Sequence, residues 1–90
     1  MTPVAMLRRI RDLAAEDGNV RFTLHARRRM VERGILIRQV MSVLRLGVIA
    51  EGPALNVRGN WQCTMRRLAA GAEIHVAVAI EDGVLVLTVY

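Results

Sequence analysis

Lysine is absent from this 90-residue chain, and cysteine, histidine and proline are scarce. The single cysteine, Cys63, excludes an internal disulfide and is consistent with a reducing compartment. Two histidines without an HExxH motif and one cysteine without a CxxC motif form no recognisable zinc site. We therefore expect neither a metal nor any other cofactor. The sequence also lacks a Gly-rich phosphate loop after a strand and a recognisable Ser-His-acid pattern.

Long apolar runs are missing too. No apolar stretch reaches the roughly 20 residues that a membrane-spanning helix needs. In the first residues, MTPVAMLRRIRDL, the arginines follow a short apolar patch, whereas a secretory signal carries its cations before a long one. We expect a cytoplasmic protein without a membrane partner.

The aromatic residues are Phe22, Trp61 and Tyr90, too few for the stacking platforms that bind single strands through several rings. All thirteen basic residues are arginines, and the net charge of +5 indicates an acidic partner. Guanidinium groups suit phosphate better than ammonium groups do, but a GC-rich genome also favours arginine over lysine. The absence of lysine therefore adds little to the choice of partner.

The apolar content of 53% is typical of a globular protein, and 90 residues leave room for one core, so we predict a single domain over residues 1–90. An N-terminal helix is predicted within residues 1–18, where Thr2 provides the cap, apolar residues recur at helical spacing and Gly18 ends the helix.

Two more helices are predicted before residue 48. VRFT at 20–23 is a short extended stretch, and its Thr23 caps a second helix from Leu24 to Arg33, which Gly34 closes. The third helix ends at Gly47, and its apolar stripe consists of Ile37, Val40, Met41 and Leu44.

After Gly47 the hydrophobic period changes from helical to alternating, which predicts strands. VIAEG is predicted as a strand and PALNVRGN as an irregular connection, followed by strands in WQCTMRRL, EIHVAVAI and VLVLTVY. The predicted fold class is α+β, with N-terminal helices packed on one face of an antiparallel β-meander of three to four strands.

Two turns set the predicted strand register. Asp82-Gly83 is a strong two-residue hairpin signal, and Ala70-Gly71 is a weaker one. This register predicts a core face of Trp61, Cys63, Met65, Val76, Val78, Ile80, Leu85, Leu87 and Val89. The opposite face includes Val86 and carries smaller and more polar side chains. On that face the register places Arg66, His75 and Tyr90 in one row across three adjacent strands.

The second helix carries the first candidate site. His25, Arg29 and Glu32 lie at i, i+4 and i+7 and share one stripe, beside an apolar stripe formed by Phe22, Ala26 and Met30. His25 is predicted at the boundary between core and solvent, where proton transfer with Glu32 as a partner is feasible. The alternative is a boundary histidine satisfied by a backbone carbonyl, with solvated arginines around it.

The predicted row of Arg66, His75 and Tyr90 is the second candidate site. A metal-independent ribonuclease needs a base for the 2′-hydroxyl, a cation for the phosphate and an acid for the leaving oxygen. An arginine, an imidazole and a phenol could supply these groups. The alternative is an ordinary set of cross-strand neighbours on a wetted sheet face.

FTLHARRRMVERGI, together with Gly47, Val48, Ile49, Glu51 and the terminal LTVY, resembles the bacterial family catalogued as domain of unknown function 4258. The resemblance spans roughly residues 20–90 and leaves the first helix outside. Leu36 departs from the family pattern, which has a polar cap there. The positions in the central motif that match are Phe22, Thr23, His25, Ala26, Arg29, Met30, Glu32, Arg33, Gly34 and Ile35.

The resemblance implies a small domain similar to RelE-type, BrnT-type and MqsR-type toxins. Toxins of this kind are messenger-RNA endoribonucleases that often act on the ribosome, and their genes often lie beside that of a small antitoxin. We therefore expect a toxin-like, metal-independent endoribonuclease with RNA and an antitoxin as partners. Arg29, Arg33 and Arg66 would hold the RNA backbone, and the candidate catalytic groups are His25, His75, Tyr90 and Glu32.

A non-catalytic module that binds nucleic acid or protein is the competing hypothesis. In that case His25 and Glu32 brace the second helix, while the arginines contact phosphate or an acidic partner. A homodimer in which IHVAVAI and VLVLTVY pair across an open edge is compatible with either hypothesis.

Overall fold

The computed structural model describes residues 1–69 and 71–90. Within these residues the strands form one five-stranded sheet in the order β1-β5-β4-β3-β2. A short 3-10 turn, Asp17–Asn19, separates the first helix from the first strand. The helices and strands are α1 (Pro3–Ala14), β1 (Val20–Phe22), α2 (Leu24–Arg33), α3 (Ile37–Leu46), β2 (Val48–Leu55), β3 (Trp61–Ala69), β4 (Ala72–Ile80) and β5 (Val84–Val89).

The helix ends follow the predicted capping residues. The Oγ1 atoms of Thr2 and Thr23 accept hydrogen bonds from backbone N–H groups in the first turns of α1 and α2. Gly34 ends α2 in the left-handed conformation, and the N–H of Ile35 donates to the Met30 carbonyl at 2.9 Å. Leu36 offers no side-chain cap, but the Oε1 atom of Gln39 accepts from the Leu36 N–H at 2.7 Å.

The predicted α+β class with helices on one sheet face is confirmed, but the sheet is larger than a three- to four-stranded meander. The additional strand is β1, which pairs in parallel with β5 through Val20↔Val84 and Phe22↔Val86. The extended stretch before α2 was predicted, but no short-range turn connects β1 to β5. The sequence therefore contained no local signal for this pairing.

Strand β2 continues to Leu55, so the prediction of an irregular connection from residue 53 was wrong. Register shifts between Ile49 and Glu51 and between Glu51 and Ala54 interrupt the pairing with β3. These bulges break the alternating pattern by which a strand is found in a sequence. The turn itself is confined to residues 56–60, where the Oδ1 atom of Asn56 accepts from two backbone N–H groups.

The hairpin between β4 and β5 differs from the prediction by one residue near its turn. Ile80 pairs with Val84 and Val78 with Val86, because the loop contains Glu81 as well as Asp82 and Gly83. A register shift between Ala77 and Val78 then restores the predicted pairing of Val76 with Val89. The prediction that Leu85 and Leu87 face the core and Val86 faces away was therefore wrong, since Val84 and Val86 are fully buried.

The hairpin between β3 and β4 has the predicted register. Arg66 pairs with His75, and Ala69 pairs with Ala72 next to the turn. Ala70, the first residue of the predicted Ala70-Gly71 turn, lies outside the described residues. The predicted pairing of β3 with β4, including Arg66 with His75, is therefore confirmed.

One core fills the space between the helices and the inner sheet face. The helix α3 packs on β3 and β4, α1 packs against α3, and α2 packs against β5. Two arginines tie this layer together: Arg11 donates to the Gly47 carbonyl at 3.0 Å, and Arg45 donates to the Ala14 carbonyl at 2.7 Å. The fully buried larger side chains are Met6, Ile10, Val40, Val43, Leu44, Met65, Val76, Val78, Val84, Val86 and Val89.

The free edges of the sheet are β1 and β2. Strand β4 is paired with both β3 and β5, and β5 is paired with both β4 and β1. Pairing of β4 and β5 across a homodimer would therefore require the sheet to open. In the part of the chain that the structure describes, no helix has the length and apolar character needed to cross a membrane.

Gly47 occupies a position with no room for a side chain. A Cβ atom there would lie 2.5 Å from the Val43 carbonyl oxygen and 2.7 Å from that of Arg66. We expect Gly47→Ala to lower the free energy of unfolding by about 1–3 kcal/mol, because backbone would have to move. Gly18→Ala is the matched control, since nothing lies within 4 Å of its Cβ position. Urea unfolding compares the two variants, and equal stabilities would contradict the expectation.

Candidate active site

The face of the sheet opposite the core carries no helix among the described residues. The buried helix residues all belong to the same cluster as the inward residues of β3, β4 and β5. Because side chains alternate along a strand, the residues between those core positions point to the opposite face, where Thr64 and Ala79 are buried and the others are at least partly exposed. His75, flanked by the buried Ile74 and Val76, is one of them.

The predicted row of Arg66, His75 and Tyr90 is present. Arg66 lies directly opposite His75 on the neighbouring strand. His75 and Tyr90 exchange backbone hydrogen bonds of 2.8 and 2.9 Å, so their side chains also lie side by side. The two rings are stacked, with centroids 5.2 Å apart and an interplanar angle of 19°. Backbone pairing and stacking therefore hold the imidazole beside the phenol.

Glu73 joins this row and was not predicted from the sequence. Its Oε1 atom accepts a hydrogen bond from Nη1 of Arg66 at 3.5 Å and lies 3.3 Å from Nε2 of His75. Glu73 and His75 are two residues apart on β4 and share a face, which a period-2 reading could have shown. Its diagonal position relative to Arg66 required the correct strand register.

A cleft of about 260 Å³ adjoins the row at the end of the sheet. The C-terminal end of α2 supplies Arg33, α3 supplies Gln39, and β4 supplies Glu73. Tyr90 also lines the cleft, so the phenol that stacks on His75 faces the same space as Arg33. Gly34 ends α2 at this point, and the chain reversal brings the helix end against the strands.

The polar side chains of the sheet row are partly exposed to solvent. The side-chain exposure is 30% for His75, 48% for Glu73 and 50% for Arg66. These groups therefore have defined neighbours without being sealed from solvent. Arg33, Glu73 and Tyr90 line the cleft, and His75 and Arg66 lie beside it in contact with Glu73 or Tyr90. Together these groups are able to bind an anion and transfer a proton.

The structure does not bring His25, Arg29 and Glu32 into this cleft. Nη1 of Arg29 pairs with Oε2 of Glu32 at 3.3 Å on the outer surface of α2. His25 is exposed rather than at the predicted boundary, because Ala26 and Met30 alone supply the buried stripe of α2. Among residues 1–69 and 71–90, His25 makes none of the hydrogen bonds, ion pairs or ring contacts found.

Arg33 is the one residue of the central motif that reaches the cleft as a charged group. Arg27 lies over the Phe22 ring with its guanidinium carbon 5.8 Å from the ring centroid. In the described residues no group of three or more histidines, cysteines or carboxylates is arranged to hold a metal ion.

The comparison with protein-family models matches residues 22–90 to the model described as "Domain of unknown function (DUF4258)". The match begins at Phe22, so it contains the last residue of β1 and every element after it, and it excludes α1. The polar groups of the sheet row, Arg66, Glu73, His75 and Tyr90, all fall within it. A search of curated proteins found no match.

Cys63 lies on the core side of β3 and is buried, as predicted. Burial raises the pKa of its thiol from 9.0 to about 11, because the low-dielectric surroundings disfavour the thiolate. We expect iodoacetamide at pH 8 to alkylate Cys63 at least about 100-fold more slowly in the folded protein than in urea, since only the thiolate reacts. Mass spectrometry of quenched samples measures both rates, and similar rates would contradict a buried, protonated thiol.

Proposed function

Because the chain belongs to this family of unknown function, we propose its activity from the cleft itself: it is a metal-independent endoribonuclease that uses the 2′-hydroxyl of RNA as the nucleophile. The observation that supports this proposal is a cleft lined by Arg33, Glu73 and Tyr90, with His75 and Arg66 in contact with two of these residues on the adjoining sheet face. This is a smaller set than the sequence suggested, and it contains no residue from the exposed stripe of α2.

Internal cleavage of RNA requires three actions on one phosphodiester. A base removes the proton of the 2′-hydroxyl, cations stabilise the charge on the phosphoryl oxygens, and an acid protonates the leaving 5′-oxygen. The O2′–P bond forms while the P–O5′ bond breaks. The products are a 2′,3′-cyclic phosphate and a 5′-hydroxyl end, and no metal or redox partner is needed.

His75 fits the role of the base. Glu73 lies beside its Nε2 atom and Tyr90 stacks on its ring, so the imidazole has one orientation and its other nitrogen remains available. Arg66 on β3 and Arg33 at the end of α2 would hold the phosphate. The Tyr90 hydroxyl is the candidate acid. After the product leaves, His75 releases the proton that it took up to solvent, and Tyr90 regains a proton from solvent.

In the free protein Glu73 contacts both Arg66 and His75, and a bound phosphate would compete with it for Arg66. Its carboxylate binds Arg66 directly, and this contact of 3.5 Å is long for a charge-assisted hydrogen bond. A phosphate would therefore displace a weak partner of Arg66 rather than a strong one. Glu73 would then remain with His75 as a positioning residue.

The family resemblance extends this proposal to a biological setting. A toxin of a bacterial toxin–antitoxin pair would cut messenger RNA, free or on the ribosome, until a small antitoxin blocked it. The net charge of +5 favours association with RNA in either setting. This setting rests on the resemblance, whereas the chemistry rests on the cleft.

We expect the purified protein to cut single-stranded RNA in EDTA and to leave DNA of the same sequence intact, since DNA lacks the 2′-hydroxyl. His75→Ala should slow cleavage by about 10²–10⁴-fold, the usual contribution of general acid–base catalysis. Gel analysis of end-labelled RNA, with identification of the cyclic phosphate end, measures the reaction.

His25→Ala is the matched control for His75→Ala, because it removes the chain's other histidine from an exposed helix face. We expect its rate to stay within about threefold of the unchanged protein, a difference worth less than 1 kcal/mol. RNA that stays intact with and without ribosomes would contradict the nuclease proposal. RNA that is bound but never cut would instead favour the non-catalytic nucleic-acid-binding module.

Arg33 and Arg66 give a separate prediction for the binding of RNA. In a His75→Ala background, Arg33→Ala with Arg66→Ala should lower the slope of log K against log salt by about 0.7 for each phosphate that the protein no longer neutralises. Arg8→Ala with Arg9→Ala on the exposed side of α1 is the matched control and should leave the slope unchanged. Fluorescence anisotropy of labelled RNA measures the slopes, and equal slopes for both pairs would remove the arginines from the site.

A further inference from the structure

An apolar groove of about 490 Å³ runs between α2 and the start of α3, on the helical side of the molecule. Its walls are built mainly from Phe22, Met30, Val31, Ile35, Leu36 and Ile37. Phe22 and Ile37 also line a second hollow that continues toward Met41, so the apolar surface is longer than the groove alone. The nuclease chemistry uses none of these side chains.

Several apolar side chains along this groove are largely exposed to solvent. Val31 is 83% exposed, Ile37 55% and Leu36 52%, although Val40 one turn further along α3 is fully buried. These three large aliphatic groups, on α2 and at the start of α3, line one groove rather than being isolated exposed residues. Patches of this kind mark interaction surfaces in soluble proteins.

A cationic rim surrounds the apolar floor. Arg27 lines the groove, and Arg28 lines the adjoining hollow together with Val31. Arg38 lies at the other end, beside Phe22 and Ile37, in a hollow that Asp17 and Arg45 also line while paired with each other. None of these three guanidinium groups takes part in the ion pairs found in residues 1–69 and 71–90, and the nearby Glu32 is paired with Arg29.

We propose that this groove binds an amphipathic helix of an acidic partner protein, with apolar side chains on the groove floor and carboxylates against Arg27, Arg28 and Arg38. A groove between two helices accepts the apolar stripe of a third helix at i, i+3, i+4 and i+7. Acidic residues flanking that stripe would be attracted by the rim and would also orient the helix in the groove.

Charge and shape disfavour the other occupants. A second copy placed symmetrically would bring the same three arginines against one another, and such like-charge contacts oppose self-association. A membrane surface is attracted by cations and apolar groups as well, but it favours a protruding apolar face, whereas this surface is concave. The inference is independent of the nuclease activity and stands even when the protein cuts no RNA.

The probe is a fluorescein-labelled designed peptide of about 18 residues, long enough for a stable isolated helix. It carries a leucine stripe at helical spacing flanked by glutamates. A scrambled peptide of the same composition and a peptide with lysine in place of glutamate are the controls. We expect the acidic amphipathic peptide to bind at least about tenfold more tightly than either control, and its binding to weaken as salt is raised.

Val31→Gln with Ile37→Gln removes the apolar floor at its most exposed positions and should weaken peptide binding by at least about tenfold. Val57→Gln, in the turn between β2 and β3, is the matched control because its side chain is fully exposed and far along the chain from the groove. Arg28→Gln with Arg38→Gln leaves the floor intact and should remove most of the salt dependence. Circular dichroism shows that each variant is folded.

Four outcomes would overturn the proposal: equal binding of the scrambled peptide, equal weakening by Val57→Gln, a salt dependence unchanged in the arginine variant, or no peptide binding at all. Binding to phosphatidylserine vesicles in place of the peptide, abolished in Val31→Gln with Ile37→Gln, would assign the groove to a membrane surface instead. A dimer in sedimentation analysis that the same variant dissociates would assign it to a second copy.

Discussion

Burial of one face of the sheet beneath α1 and α3 is the constraint on which the rest of the structure depends. Val76 and Val78 on β4 and Met65 on β3 have no exposed surface, and Leu44 and Ile10 cover them from the helices. Each such side chain contributes about 1.5–3 kcal/mol when it leaves water. Because strand side chains alternate, this burial also decides that the neighbouring residues face outward. The polar row lies on the outer face because the neighbouring residues along each strand are buried in the core.

The bulge in the last hairpin determines whether this row contains Tyr90. The loop at Glu81–Gly83 sets the first pairings of β5, and in that register Val84 and Val86 face the core. Without a bulge every second residue would follow them inward, and Tyr90 would point toward the helices. The extra residue near Leu87 reverses the alternation, so Val89 is buried and Tyr90 stacks on His75. The bulge thus places the phenol of Tyr90 beside the imidazole of His75.

Structural features that depend on residues close together in the sequence were predicted correctly. The caps at Thr2 and Thr23 and the stop at Gly34 are local effects, and they were confirmed. The pairing of His75 with Tyr90 was also predicted, but through two errors that cancel: a loop one residue too short and a bulge not foreseen. What remained hidden depends on tertiary contacts. The parallel pairing of β1 and the meeting of Arg33 and Tyr90 at one cleft join segments that no turn connects directly. Glu73 is different, since its spacing from His75 on β4 was readable in the sequence and was missed.

Two of the thirteen arginines have structural roles in the scaffold. Arg45 donates from Nε to the Ala14 carbonyl and from a terminal nitrogen to Asp17, so one planar fork joins α3 to two different partners. An ammonium group presents no such pair of donors in fixed directions. Arg11, which donates to the Gly47 carbonyl, is likewise committed to the scaffold. The net charge therefore overstates the number of guanidinium groups available to a ligand. If the proposed nuclease activity holds, affinity for a phosphodiester would depend on Arg33 and Arg66, and the arginines that hold the scaffold would contribute only to the long-range field.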